Sequence, residues 1–222
     1  MKNSRKNAIL IIKENSRPCL TLNAAYFGLV LLVAILSGQN PSIVQWLRES
    51  TAQALTNGGL LTIVANAYID GNFLVAVILT FVINLILGAI LYITLPSLVI
   101  PFFGLVMGMF RAILWGLLVL PLIPFEVYSV PAWLTMLVEG EGYILAMLAA
   151  YIQGIAFIWP KSVNASTRRQ GYVMGLKATW KLYVLIVFIL AVAAIWEAFA
   201  AIYLMPMLGS PSLPMRIQSM IG

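Results

Sequence analysis

Apolar residues run along this chain in blocks of about the length, some 20 residues, that an α-helix needs to cross hydrocarbon. Five such blocks stand out, at 20–36, 73–95, 102–122, 133–159 and 182–204. Two weaker patterns lie between the first two. Over 41–57 Pro41-Ser42 opens a stretch with helical period, in which Val44, Leu47, Thr51, Ala54 and Leu55 share a face and Gln45, Arg48, Glu49 and Gln53 fall elsewhere. With Trp46 near the boundary, it reads as an amphipathic helix lying in the membrane interface or packed on the bundle as a connector. The apolar run at 60–69 is half the spanning length and reads as interfacial or re-entrant. Pro96 and Pro101 break the chain between the second and third blocks, either as a tight turn or between half-inserted segments. The expectation is an all-α, polytopic transmembrane helix bundle of about five spans, forming one integral membrane domain over 1–222.

Composition agrees: 62% of the residues are hydrophobic and 9% charged, where a soluble domain carries about a quarter charged residues. Charge then sets the orientation. Lys2, Arg5, Lys6, Lys13 and Arg17 precede the first span in a basic tail over 1–19, and Lys161, Arg168, Arg169, Lys177 and Lys181 form a basic loop between the fourth and fifth. Five spans put both groups on one side, which the positive-inside rule makes cytoplasmic. The other side receives Arg48 and Arg216 with Glu49, Asp70 and Glu126. A multi-pass cell-membrane protein follows, with its N-terminus cytoplasmic, its C-terminus external and the lipid bilayer as its first partner. The basic loop either touches anionic lipid or serves only as the topology signal. No cleavable signal peptide is evident, because the first span is long enough to anchor and lacks a small-residue cleavage site.

The chain has no histidine and a single cysteine, Cys19. Zinc, haem and iron–sulfur sites of the usual kinds, and histidine-based nucleophilic machines, are thereby excluded, and no cofactor is expected. Gly58-Gly59 lacks the Lys-Ser/Thr of a phosphate loop, and no nucleic-acid-binding motif is present.

Candidate chemistry lies inside the spans. Asn84 and Arg111 fall near the middles of the second and third, and Glu141 and Glu197 a turn or so external of the centres of the fourth and fifth. At 1.5 Å per residue both carboxylates come to roughly 6–8 Å from the midplane, in the same half of the membrane. Glu139 lies further out, towards the headgroups. An ionised group at mid-bilayer costs at least about 2.5–3.5 kcal/mol, so these side chains are expected to face inward and pair. Arg111 with Glu141 or Glu197, and Asn84 donating to either carboxylate, is the expected arrangement. It serves equally a static interhelical ion pair or a proton or ion pathway. Gly104 and Gly108 form a GxxxG face in the third span and Gly88 sits in the second, as sites of close helix packing.

Three stretches resemble the stage II sporulation protein M family of integral membrane proteins. They are Asn84-Leu85-Ile86-Leu87-Gly88 with Leu95-Pro96 and Phe103-Gly104-Leu105-Val106-Met107-Gly108; Glu139-Gly140-Glu141-Gly142-Tyr143-Ile144-Leu145-Ala146 through Gly154; and Ala194-Ile195-Trp196-Glu197-Ala198-Phe199. The resemblance covers roughly 73–206. Where many members carry His-Gly this chain has Glu139-Gly140, and Phe103 stands where Asn is common. It implies a multi-helical envelope membrane protein; the family's named member works with cell-wall-degrading partners in membrane remodelling, a process that does not carry over to every relative.

Two function classes follow. One is a non-enzymatic scaffold or subunit of an envelope or membrane-remodelling complex, as a homo-oligomer or with membrane or envelope partners. The other is a small transporter or permease component using Arg111, Glu141 and Glu197. An intramembrane hydrolase with Glu141 and Glu197 as acid and base lacks a nucleophile beside them.

Overall fold

In a computed structural model of the chain, residues 7–119, 127–211 and 215 are described, and every regular element among them is helical. The basic tail is helical from Ala8. Helix α1 (Ala8–Glu14) is capped by Asn7, whose side-chain oxygen accepts the Leu10 N–H at 2.9 Å. Asn15 ends it by turning its amide back onto the Ile11 carbonyl, and α2 (Ser16–Gly38) follows. Pro41, whose missing N–H is an orphan position in any case, opens α3 (Pro41–Thr56). Its inner face is Leu47 and Ala52, with Val44, Thr51 and Leu55 half-buried; Ala54, expected on that face, is exposed. The run at 60–69 is a ten-residue helix, α4 (Leu60–Ile69).

Helix α5 (Phe73–Val99) is one continuous element, with a π-helical middle at Ile83–Thr94. Pro96 therefore does not end it, contrary to the reading of Pro96 and Pro101 as a joint break. Pro96 sits in the first turn of the closing α-helical segment, Leu95–Val99, where proline is tolerated. The chain turns instead after Val99, with Ile100 extended and Phe102 in the left-handed region at φ 67°. Helix α6 (Phe103–Leu114) continues as π-helix through Trp115–Val119; residues 120–122 of the expected third span lie outside the described residues. Helix α7 (Val130–Ile158) and helix α8 (Arg168–Met207) complete the chain. The expected basic loop is thus mostly helix, since 168–181 are the first turns of α8 and only the short connection after Ile158 is loop. Charge marked where the apolar span begins, and the helix begins well before it.

Among the described residues α2, α5, α7 and α8 are long and apolar enough to cross a membrane. That is compatible with a multi-pass membrane protein.

The chain forms two compact units. The first takes the described parts of 1–28, 83–111 and 139–190. Its centre is α7, in which every residue from 142 to 150 is buried. The α7 and α8 segments run antiparallel in close contact at three glycines: a Cβ on Gly142 would lie 2.6 Å from Leu190 Cδ2, while Gly175 abuts Gln153 and Gly171 abuts the Ala156 carbonyl. Against α5, the Tyr183 hydroxyl is 2.6 Å from Thr94 Oγ1 and donates to the Ala89 carbonyl at 3.1 Å, and Tyr172 donates to the Leu98 carbonyl at 3.2 Å. In the second unit Ala67, Ala76 and Ala198 form a small core beside Tyr68, Phe73 and Ile202. The Tyr68 and Thr80 hydroxyls join there at 2.8 Å, and Trp196 Nε1 donates to the Pro131 carbonyl at 3.1 Å.

Candidate functional site

The buried charges of the first unit meet on α6 and α7. Arg111 lies two helical turns after Gly104, and Glu139 and Tyr143 are four residues apart on α7, so they share a face. One Arg111 terminal nitrogen donates to Glu139 Oε1 at 3.0 Å and to the Tyr143 hydroxyl at 2.6 Å. Tyr143 in turn donates to Glu139 Oε1 at 2.6 Å, closing a three-membered ring of hydrogen bonds. The Arg111 Cζ stands 4.2 Å from the Tyr143 ring centroid, so cation–π attraction adds to the contact. Glu139 is 3% exposed and Arg111 26% by side chain, so the carboxylate is the more enclosed partner.

This corrects the expected pairing. Arg111 meets Glu139, not Glu141, and Glu139, expected further out, is buried inside the first unit. The physical reason is facing rather than depth: residues two apart on a helix point about 200° apart, so Glu139 and Glu141 cannot serve one partner. Glu141 is half-buried and hydrogen-bonds the side chain of Asn23 on α2. Glu197 is half-buried in the second unit, beside Trp196 and Ala198. Asn84 is buried in the π-helical part of α5, one turn before Gly88, and takes no part in the ring of bonds around Glu139.

The expected packing glycines hold this cluster in place. A Cβ on Gly88 would fall 2.8 Å from the Tyr143 ring and 2.9 Å from its hydroxyl oxygen, and one on Gly108 would overlap Met147. On Gly104 it would lie 2.5 Å from the Ile93 carbonyl oxygen and 2.9 Å from the Ala150 Cβ. The close approach at Gly104 also lets its N–H donate to Ser97 Oγ at 2.6 Å, which satisfies an orphan donor in the first turn of α6. All three glycines thus pack within the chain.

Reasoning from sequence missed Tyr143 and Tyr26. Tyr143 had a readable signal, its four-residue spacing from Glu139. Tyr26 had none; it is fully buried, packs edge-on to Phe27 and interacts electrostatically with Arg111 and Glu139. The Tyr26 hydroxyl and Arg111 Nε are buried without a hydrogen-bond partner among the described residues. Chemically the cluster is a closed, net-neutral ion pair whose carboxylate oxygen already accepts two donors. No group of three or more metal-ligating side chains occurs among the described residues.

Comparison of the sequence with protein-family models and with curated proteins, and of the structure with solved structures, finds no match.

Proposed function

We propose that this chain is a non-enzymatic, multi-pass membrane scaffold, a subunit that positions partners in an envelope or membrane-remodelling complex. The observation that carries this reading is the closed Arg111–Glu139–Tyr143 cluster, buried between helices brought together by Gly88, Gly104 and Gly108. A charge that moves protons or ions needs a partner it can leave. Here the carboxylate is held by two donors and enclosed, as suits a cross-link between α6 and α7. The resemblance to the stage II sporulation protein M family supports an envelope setting. The proposed topology has five spans, with α6 the third, the N-terminus cytoplasmic, the C-terminus external and α3 lying along the external interface. The assembly is a homo-oligomer or a complex with membrane or envelope proteins.

The test compares wild type with Glu139→Gln in native membranes, reading oligomer size after cross-linking, and in liposomes, reading ion and proton flux. Loss of assembly, with flux no different from empty vesicles, is expected. Intact assembly together with a wild-type flux that the variant loses would refute the scaffold reading. A transporter component is the second reading, favoured by Glu141, which is only half-buried and held by a neutral Asn23 rather than a cation. It predicts that Glu141→Gln abolishes flux while leaving assembly intact.

A further inference from the structure

The first unit ends in two adjacent turns, the one after α5 and the one between α7 and α8. Several contacts tie them together. The Phe102 ring lies 6.2 Å from that of Trp159, the Gly154 Cα sits against Phe102, and Tyr172 bonds the Leu98 carbonyl. The second turn is closed by the Ala165 N–H on the Pro160 carbonyl at 2.9 Å, and by Gly171 packed on Ala156 and Pro160. Apolar side chains nevertheless stand outward at this tip: Val99 is 79% exposed, Ile100 55% and Trp159 55%. Lys161, in the second turn, and Arg168 and Arg169, which open α8 after it, are exposed, and no acidic residue occurs anywhere from 142 to 196.

We infer that this tip binds the surface of an anionic phospholipid bilayer, with Trp159, Val99 and Ile100 in the interfacial layer and Lys161, Arg168 and Arg169 on lipid phosphates. An aliphatic pair and an indole open to water are costly in a folded tip, whereas the headgroup region suits an amphipathic ring. Long basic side chains reach phosphates from that depth by laying their stems along apolar surface. A patch with three cations and no anion complements a negatively charged leaflet, at about fivefold in partition per basic residue. The leaflet is the cytoplasmic one, and on that point the inference rests on the orientation proposed above. The connection after Ile158 is then a lipid-selective contact as well as a topology signal.

The test uses the full chain with Cys19→Ser and Ser166→Cys, labelled at 166 with an environment-sensitive fluorophore. It is reconstituted in mixed phosphatidylcholine and phosphatidylglycerol bilayers in which a headgroup-proximal spin label is carried by one lipid or the other. Quenching by labelled phosphatidylglycerol is expected to exceed that by labelled phosphatidylcholine by at least about fivefold, the share of one basic residue, and the excess should vanish in the Lys161→Gln, Arg168→Gln, Arg169→Gln triple variant. Equal quenching by both lipids in the wild-type background overturns the anionic selectivity. Absence of quenching by either, with the fluorophore open to iodide, overturns the lipid contact and leaves the tip to a soluble partner. Orientation is read separately, by whether an impermeant thiol reagent reaches residue 166 from outside intact cells. Labelling from outside would overturn the proposed sidedness while the lipid ratio still judges the contact.

Discussion

Glu139→Gln keeps the shape of the side chain at the centre of the cluster and removes its charge. Arg111 then faces a neutral amide in a low-dielectric setting, and leaving one member of a buried pair uncompensated costs about 3–5 kcal/mol. Arg111→Gln is expected at the upper end of that range, because Glu139 is almost wholly enclosed while Arg111, a quarter exposed, has a route by which to relax. The variant carrying both changes holds two neutral amides that still hydrogen-bond each other and Tyr143, so it should cost about as much as the milder single change. The coupling between the two positions then equals the cost of the harsher single change, about 5 kcal/mol, more than residues in direct contact usually show. Equilibrium unfolding in mixed lipid–detergent micelles titrated with a denaturing detergent reads all four proteins. Additive losses, with the double variant as unstable as both singles together, would refute the claim that the ion pair cross-links α6 and α7.

Other variants probe the packing around it. Gly104→Ala puts a methyl against the Ile93 main-chain carbonyl and should cost about 2–3 kcal/mol in the same titration, whereas Gly108→Ala displaces only the Met147 side chain and should cost about 1 kcal/mol. Gly28→Ala meets nothing within 4 Å and should stabilise α2 by up to about 1 kcal/mol; a loss there would mean that face is occupied. Ser97→Ala orphans the Gly104 N–H and should cost about 1–2 kcal/mol, with faster amide exchange confined to the start of α6. Tyr183→Phe removes bonds to Thr94 and to the Ala89 carbonyl. It should destabilise by about 1–2 kcal/mol and loosen the π-helical part of α5 in hydrogen exchange.

How far the sequence could be read follows from which interactions are periodic. Uninterrupted apolar runs placed α2, α5 and α7 within about four residues of where they lie, because the length of an apolar helix is a one-dimensional property. The start of α8 was less readable. The α8 helix starts fourteen residues before its apolar run, since basic residues on a helix look the same as basic residues in a loop until packing at Gly171 and Gly175 is known. Pro96 misled for a related reason: proline tells only that one N–H is missing, and a switch from π- to α-helical bonding provides a place where none is needed.

The site shows the sharper limit. Asn84, Arg111, Glu139, Glu141 and Glu197 were all visible as polar residues in apolar context, but ranking carboxylates by depth chose the wrong partner. Depth varies by only about 3 Å between Glu139 and Glu141, whereas facing differs by about 200°. Facing is set by the neighbours. Gly88 admits the Tyr143 ring, Gly140 sits against Phe27 and Tyr26, and both contacts fix the rotation of α7 so that 139 and 143 look towards α6 and 141 towards Asn23. The same rotation separates the two functional readings. It assigns one carboxylate to a guanidinium as a cross-link and leaves the other, half-buried on a neutral amide, as the position where a transport role would have to appear. Glu141→Gln is therefore the more discriminating change. If the scaffold reading holds, it alters neither assembly nor flux and costs no more than about 1 kcal/mol, since a Gln at 141 retains an amide oxygen for the Asn23 bond. Loss of a flux that Glu139→Gln leaves intact would transfer the function from the paired carboxylate to the unpaired one.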